Sequence, residues 1–199
     1  MTEYNKYFPD SLVLETHRVQ LRLMQLRDYE SLQSLTQSVE LWKYFTKNLA
    51  DPNELMQWIQ DALQEREQLK RVPFVVIDKD EQKICGSTSF GNISFYDQRI
   101  EIGWTWLGEE FRGTGVNRQA KFSLFSYAFE VLKMERVEIK TDNLNERSKA
   151  ALRKVGAFEE GVLRSHMLMH DKRRRDSVYY SILKDEWPDV KRAYFGELL

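Results

Sequence analysis

The stretch at residues 100–118 reads IEIGWTWLGEEFRGTGVNR, and it says most about how this chain folds. It begins as an alternating strand, passes through a polar turn and ends in two glycines that precede a helical pattern. Backbone N–H groups converge where such a loop opens a helix, and the helix dipole adds positive potential. The stretch therefore predicts a site for a phosphate-bearing ligand between a strand and a helix.

The composition limits the kind of protein this is. The chain has 199 residues and a net charge of −1, which favours one globular domain over residues 1–199 and argues against nucleic acid or a membrane surface as a partner. The polar N-terminus and the lack of a long apolar run lead us to expect a cytoplasmic protein. The single cysteine and the spacing of the three histidines predict no disulfide framework and no metal site.

The hydrophobic pattern switches between the helical period and the strand period along the chain. Strands are predicted at residues 12–24, 72–78, 84–96, 100–107, 136–141, 157–169 and 177–183. Helices are predicted after an Asp28 N-cap, at residues 39–45, from an Asp51 N-cap to about Leu69, at 117–133, at 145–155, and in a tail interrupted near Pro188. Short turns between the second, third and fourth strands predict an antiparallel meander. The fold class is therefore α+β.

The glycine loop is compatible with more than one interpretation when it is taken alone. The sequence has no Gly-x-x-x-x-Gly-Lys-Ser/Thr run, so it is not a P-loop. A dinucleotide fingerprint would need a third glycine where Gln119 stands, and a parallel strand before the loop. The pyrophosphate loop of an acyl-CoA binder and a glycine turn without a ligand both stay open.

A second motif makes the loop more specific. Arg112-Gly-Thr-Gly-Val-Asn is followed by a helix, a strand and then TDNLNERSKAALRKVGAF at residues 141–158. Two motifs at this separation resemble the GNAT N-acetyltransferase superfamily, and within it the RimJ/RimL-type branch. Leu163-Arg164 and Tyr179-Tyr180-Ser181 resemble the closing strands of that branch, so the likeness covers about residues 12–183.

The resemblance implies a mixed, splayed β-sheet of about seven strands flanked by helices, with acetyl-CoA as co-substrate and no metal. Acetyl-CoA would lie in the opening between the strands that end at Leu107 and Thr141. The residues implied to contact it are Thr105, Trp106 and Leu107 through their backbones, Arg112, Gly113, Thr114, Gly115, Val116 and Asn117 as the pyrophosphate loop, and Asn145. Asn117 departs from the Gly or Ala that is usual in the family. Its larger side chain could crowd the pyrophosphate or cap the helix, and we expect the cap.

The chemistry of amine acetylation needs a base for the amine and a proton donor for the departing thiolate. Glu101 is the candidate base, since strand alternation would place it with Gly103 and Thr105, opposite Ile100, Ile102, Trp104 and Trp106. Burial there would raise the pKa of a carboxylate, whereas a solvated or salt-bridged strand carboxylate is the alternative. The resemblance makes Ser148 the candidate proton donor, because Leu152 occupies the position where many relatives have a tyrosine. An ordinary helix-start serine is the alternative for Ser148.

Several other features favour plain structural roles. Cys85 is expected in the core, and His166 is expected to pack across strands rather than to line a pocket. Residues 172–176, Lys-Arg-Arg-Arg-Asp, are predicted to form a solvated hairpin tip, with docking to an acidic partner as a lesser alternative. Of Trp42, Tyr44, Phe45 and Trp58, most are expected in the core and one or two in the acceptor site.

The predicted function is transfer of an acetyl group from acetyl-CoA to a small-molecule amine or a protein N-terminus, by direct attack in a ternary complex. A non-catalytic acyl-CoA sensor and an interaction module that has lost the cofactor are the alternatives. The sequence favours neither a monomer nor a homodimer.

Overall fold

The computed structural model describes residues 3–199, with the side chains from residue 4 onward; the first two residues of the polar N-terminus lie outside it. The strands are β1 Val13–Glu15, β2 Val19–Leu23, β3 Arg71–Asp78, β4 Lys83–Ser94, β5 Arg99–Leu107, β6 Arg136–Asp142, β7 Phe158–Leu168 and β8 Arg174–Leu183. The α-helices are α1 Glu3–Tyr7, α2 Tyr29–Leu35, α3 Pro52–Glu67, α4 Val116–Ser126, α5 Glu146–Arg153 and α6 Trp187–Phe195. A π-helical turn at Tyr127–Val131 extends α4, and 3₁₀ turns lie at Leu26–Asp28, Val39–Trp42, Glu109–Phe111 and Gly196–Leu198.

The strands form one sheet in the order β1-β2-β3-β4-β5-β6-β8-β7. Strands β1 to β5 are an antiparallel meander, as predicted. The predicted entry strand at residues 12–24 is divided, because Thr16 Oγ1 accepts a hydrogen bond from Val19 N and closes a tight turn. The sheet therefore has eight strands rather than about seven, and the mixed, helix-flanked sheet is confirmed.

The sheet splits between β5 and β6. These two strands are parallel and pair only from Arg99↔Arg136 to Glu101↔Glu138. Beyond this point β5 continues along β4, and β6 continues along β8. The C-terminal halves of β5 and β6 consequently diverge and leave an opening between them.

The two faces of the sheet are covered by different helices. On one face, Leu124 and Phe125 of α4 and Trp187 of α6 pack in a buried group with Ile100 and Ile102 of β5. On the other face, residues of α2, α3 and the segment around Trp42 pack against Val75 and Trp106. Burial of these apolar side chains on both faces is the main source of stability of the sheet.

A bulge in β5 changes which side chains share a face. Ser87 of β4 is opposite Trp106, but Ser89 is opposite Gly103, so β5 carries one extra residue between them. Trp104 lies at this bulge, and its backbone adopts a left-handed conformation with a φ of 52°. The predicted strict alternation along β5 is therefore wrong beyond Gly103: Ile102 and Trp106 belong to opposite cores.

The helix ends follow the sequence in part. Asp51 caps α3 through a hydrogen bond that its Oδ1 accepts from Asn53 N at 2.8 Å. Asp28 makes no capping bond to α2; its carboxylate accepts instead from Arg22 and from Gln25 N. Pro188 lies in the first turn of α6 and so begins this helix instead of interrupting it. Among residues 3–199, no helix combines the length and the apolar character that crossing a membrane requires.

Candidate active site

A cleft of about 360 Å³ passes through the opening between β5 and β6, and its volume is within the range of small-molecule pockets. We call its two ends the donor end and the acceptor end. The residues that define the donor end are Arg112, Gly113, Asn117, Asn145, Arg147 and Ser148. The residues that define the acceptor end are Leu41, Tyr44, Phe45, Glu101, Lys140, Met167 and Arg175.

The loop at the donor end has an open backbone. Gly113 and Gly115 have φ values of 78° and 93°, and a Cβ at either position would meet nothing within 4 Å. Such left-handed conformations favour glycine. Thr114 Oγ1 donates a hydrogen bond to Phe111 O, and Val116 is fully buried in the core. The side chains of these two residues therefore hold the loop in place. From Gly113 to Val116 the loop therefore offers its backbone rather than its side chains to a ligand, except that the Thr114 carbonyl already accepts from Arg18 Nη1.

Arg112 fits an anionic ligand. Its Nε donates to Leu107 O, but its buried Nη2 has no hydrogen-bond partner among the described residues. Burial, followed by the nearby Arg147, lowers the pKa of Arg112. A pyrophosphate at the N-terminus of the eleven-residue helix α4 would pair with this unpartnered group and interact with the helix dipole.

The prediction that Asn117 caps the helix is wrong. Helix α4 begins one residue earlier, at Val116, and its N-cap is Gly115. Within the described part of the chain, the Asn117 side chain makes no hydrogen bond, and it lines the donor end of the cleft. The Asn117 amide is therefore open to the cleft instead of completing the helix.

Asn145 and Ser148 lie where the sequence predicted. Asn145 Oδ1 accepts a hydrogen bond from Ser148 N at 3.0 Å and caps α5. Ser148 Oγ makes no hydrogen bond to any residue between 3 and 199, so this hydroxyl is free in the cleft. Leu152 and Ala151 line the cleft beside it.

The edge of β5 along the opening has no strand partner beyond Glu101, as far as the described strands show. Thr105, Trp106 and Leu107 line the cleft along this edge. The Trp106 ring packs against Trp42 at 5.3 Å between centroids, so its side chain is part of the core. The backbone edge of this segment is open to an extended ligand, which would add to β5 as a further strand.

Glu101 is buried at the acceptor end, with 3% of its surface exposed. Its Oε2 accepts hydrogen bonds from Lys140 Nζ at 2.8 Å and from Asn92 Nδ2 at 2.6 Å. Its Oε1 accepts none from the residues that the structure describes. The carboxylate is therefore salt-bridged through one oxygen and free through the other.

Lys121 lines the cleft, although it was not among the site residues predicted from the sequence. It lies on α4 with 4% of its surface exposed, and its Nζ donates to Thr105 Oγ1 at 3.0 Å. Burial lowers the pKa of Lys121 to about 7, and the Glu101 charge opposes this shift. The spacing contained the signal, because Lys121 precedes the buried Leu124 and Phe125 by three and four residues on one helix face.

Arg175 was predicted to lie in a solvated hairpin tip, but the structure places it elsewhere. Residues 169–173 connect β7 to β8, and β8 begins at Arg174. Arg175 is 7% exposed and lines the acceptor end, so the prediction of a solvated tip is wrong for this residue.

The structural roles expected for Cys85 and His166 agree with the structure. Cys85 is fully buried in the core, where burial raises its pKa to about 12. His166 packs edge-on against Tyr179, and its Nδ1 lies 3.0 Å from Ser177 Oγ. Tyr44 and Phe45 line the cleft, whereas Trp42 and Trp58 are buried. Across the described chain, no group of three or more His, Cys, Asp or Glu residues is placed to hold a metal ion.

Comparison with known proteins agrees with this geometry. The model of a family described as "Acetyltransferase (GNAT) domain" matches residues 18–157. The chain is 30% identical over 178 residues to "Putative ribosomal N-acetyltransferase YdaF" of Bacillus subtilis (strain 168), an alignment that covers 87% of this chain and 95% of the relative.

Solved structures extend the similarity to the whole fold. A GCN5-related N-acetyltransferase from Brucella melitensis superposes with a TM-score of 0.87 and 26% identity, covering 96% of this chain and 87% of that one. A "putative acetyltransferase" from T. thermophilus superposes with a TM-score of 0.85 and 31% identity, covering 94% and 97%. The resemblance found in the two sequence motifs is thereby confirmed, and the chain belongs to the GNAT family of acetyltransferases.

Proposed function

We propose that this acetyltransferase transfers the acetyl group of acetyl-CoA to a primary amine by direct attack in a ternary complex. The observation that carries the proposal is the cleft that crosses the sheet, with an anion-binding loop at one end and a buried carboxylate at the other. The proposal takes residues 1–199 as a single catalytic domain that acts in the cytoplasm, as a monomer or a homodimer.

Acetyl-CoA, the general acetyl donor of this family, supplies an activated thioester. The loop formed by Arg112, Gly113, Thr114, Gly115, Val116 and Asn117 would hold its pyrophosphate. Thr105, Trp106 and Leu107 would pair with the pantetheine arm through their backbones, and Asn145 would contact the cofactor while capping α5. No metal is required.

Glu101 serves as the base in this proposal. An amine attacks only when it is unprotonated, so a group that accepts its proton must lie beside it. Glu101 Oε1 is available for this, directly or through a water molecule, since the hydrogen bonds from Lys140 and Asn92 both reach Oε2. The Lys140 pairing also fixes the orientation of the carboxylate.

Ser148 serves as the proton donor for the leaving thiolate. Its hydroxyl has no competing partner among the described residues, and its backbone is fixed by the Asn145 cap. Leu152 cannot perform this step, because an aliphatic side chain carries no transferable proton.

The acceptor is a small-molecule amine or a protein N-terminus. The name of the Bacillus subtilis relative refers to ribosomal acetylation, which makes N-terminal peptides a first class to test. The aromatic wall of Tyr44 and Phe45 is compatible with either class.

The test is a CoA-release screen with acetyl-CoA across amines and N-terminal peptides. We expect release with at least one acceptor, and Ser148→Ala should lower kcat about tenfold with an unchanged Kd for acetyl-CoA. Ser31→Ala, an exposed serine outside the cleft, is the matched control. Unchanged turnover in Ser148→Ala would remove Ser148 from the mechanism.

The same screen separates the two alternatives. Acetyl-CoA binding without CoA release for any acceptor would favour the sensor. No thermal stabilisation by acetyl-CoA would favour the interaction module.

A further inference from the structure

Arg175 is a buried cation whose end groups have no partner. It is 7% exposed, and its Nε donates to Ser177 Oγ at 3.0 Å. Its Nη1 and Nη2 make no hydrogen bond to any described residue, and the side chain lines the acceptor end of the cleft. The part of the guanidinium that suits bidentate binding is therefore unused by the protein.

The carboxylates near Arg175 are already engaged. Glu101 is paired with Lys140 at 2.8 Å. Asp142 is paired with Arg173, and its Oδ1 accepts a hydrogen bond from Leu144 N at 2.9 Å. Each of these two ion pairs is neutral overall, because its own cation and carboxylate cancel. Within the described chain, Arg175 has no ion pair of its own within 4 Å, so it is the uncompensated charge at this end.

An uncompensated buried charge costs free energy unless something pairs with it. Burial lowers the pKa of Arg175, which reflects this cost, although Asp142 and Glu101 oppose the shift from farther away. A ligand that carries a carboxylate would supply the ion pair that Arg175 lacks within the protein. Glu101 and Arg175 both line the acceptor end of the cleft, so one ligand can reach the carboxylate and the guanidinium together.

We infer that Arg175 binds a carboxylate of the acceptor, which carries its reactive amine and an acidic group on the same molecule. This inference rests on the proposed function and narrows its acceptor class. The amine would lie beside Glu101, and the acidic group would form a charge-assisted bidentate hydrogen bond with Arg175. The carboxylate is either the α-carboxylate of a free amino acid or an acidic side chain that follows a protein N-terminus.

The experiment compares acceptors with and without this charge, at a pH where the amine of each is largely unprotonated. One arm pairs free amino acids with their C-terminal amides, and the other pairs N-terminal peptides that carry Asp or Glu with peptides that carry Asn or Gln. Rates of CoA release are measured for the wild type and for Arg175→Gln. Arg174→Gln is the matched control, because Arg174 is exposed on the same strand and bonds Ser165.

We expect kcat/KM to be about tenfold higher for the charged member of the pairs in one arm, which identifies the source of the carboxylate. Arg175→Gln should remove this preference with the Kd of acetyl-CoA unchanged, Arg174→Gln should keep it, and Arg175→Lys should keep part of it. Equal rates for charged and neutral acceptors in the wild type, or a preference that survives in Arg175→Gln, would overturn the inference.

Failure of the proposed acetyl transfer can be distinguished from failure of the inference about Arg175. If no acceptor releases CoA, the same pairs are tested for binding to the CoA-loaded protein by calorimetry. Tighter binding of the charged members that is lost in Arg175→Gln supports the role of Arg175 even then. Equal binding of both members, or none, overturns it.

Discussion

The two ends of the cleft are built in different ways. The donor end comes from two short continuous segments, the loop at residues 112–117 and the helix start at residues 145–148. The acceptor end combines residues from the segment near Tyr44 and from strands β5, β6, β7 and β8, which are far apart in the sequence. Local backbone chemistry thus sets the donor end, whereas the register of the sheet sets the acceptor end.

This difference explains which functional groups each end offers. Besides the Arg112 guanidinium, the donor end presents backbone N–H groups, a helix N-terminus and a capped serine, and these three follow from glycine and cap residues in sequence. The acceptor end presents charged side chains whose pairing depends on strands that meet in space. Variants of the loop at residues 112–117 should therefore change the affinity for acetyl-CoA, whereas variants of the acceptor-end charges should change turnover, and the following experiments test this separation.

The largest effect is expected at the acceptor end. Glu101→Gln removes the proposed base and should lower kcat by about 100-fold or more, with the Kd of acetyl-CoA unchanged. The matched control is Glu138→Gln, because Glu138 is opposite Glu101 on β6 but is paired with Arg136 away from the cleft. Equal losses in both variants, measured by CoA release, would show that Glu101 has only a structural role.

A smaller effect on a different constant is expected at the donor end. Gly115→Ala places a side chain on a residue with φ of 93°, which should strain the loop and raise the Kd of acetyl-CoA about tenfold. Gly161→Ala is the control, because Gly161 also has a positive φ and open surroundings but lies on β7 outside the cleft. Calorimetry with acetyl-CoA measures both, and an unchanged Kd in Gly115→Ala would contradict the role of the loop.

The third effect concerns Lys121, which lies between the two ends. Because its pKa falls from an ordinary 10.5 to about 7, the unfolded chain binds a proton between these pH values that the folded protein does not. The contribution of Lys121 to the free energy of unfolding therefore rises with pH through this window and is lost as pH falls toward 7.

Lys121→Met should flatten this rise and stabilise the protein at pH 7, by on the order of 2 kcal/mol relative to its effect at pH 9. Urea denaturation at the two pH values measures the difference, and the exposed Lys154→Met serves as the control. Parallel pH dependences for the wild type and Lys121→Met would show that Lys121 titrates normally.

The sequence allowed most of the fold and the donor end to be predicted. The glycine loop, the Asn145 cap and the divergence of β5 from β6 all follow from local patterns or from the family motifs. The roles of Glu101 and Ser148 stay predictions until turnover is measured.

The acceptor end was harder to predict for two physical reasons. A positive φ at a tryptophan has no sequence signature, so the bulge at Trp104 and its reversal of the β5 faces were not foreseeable. A run of three arginines looks the same whether all are solvated or alternate ones point inward, so the burial of Arg175 could not be read from residues 172–176 alone.

The short pairing between β5 and β6 has a mechanical consequence. Three residue pairs join the leaf formed by β1–β5 to the leaf formed by β6–β8, and no other strand pairing joins the two leaves in the described chain. A force that pulls the leaves apart would load these few hydrogen bonds together with the helices that pack across them. Under this tension the β5–β6 pairing should therefore separate first. The β1–β2 pairing is equally short but lies within one leaf, and all other strand pairings are longer.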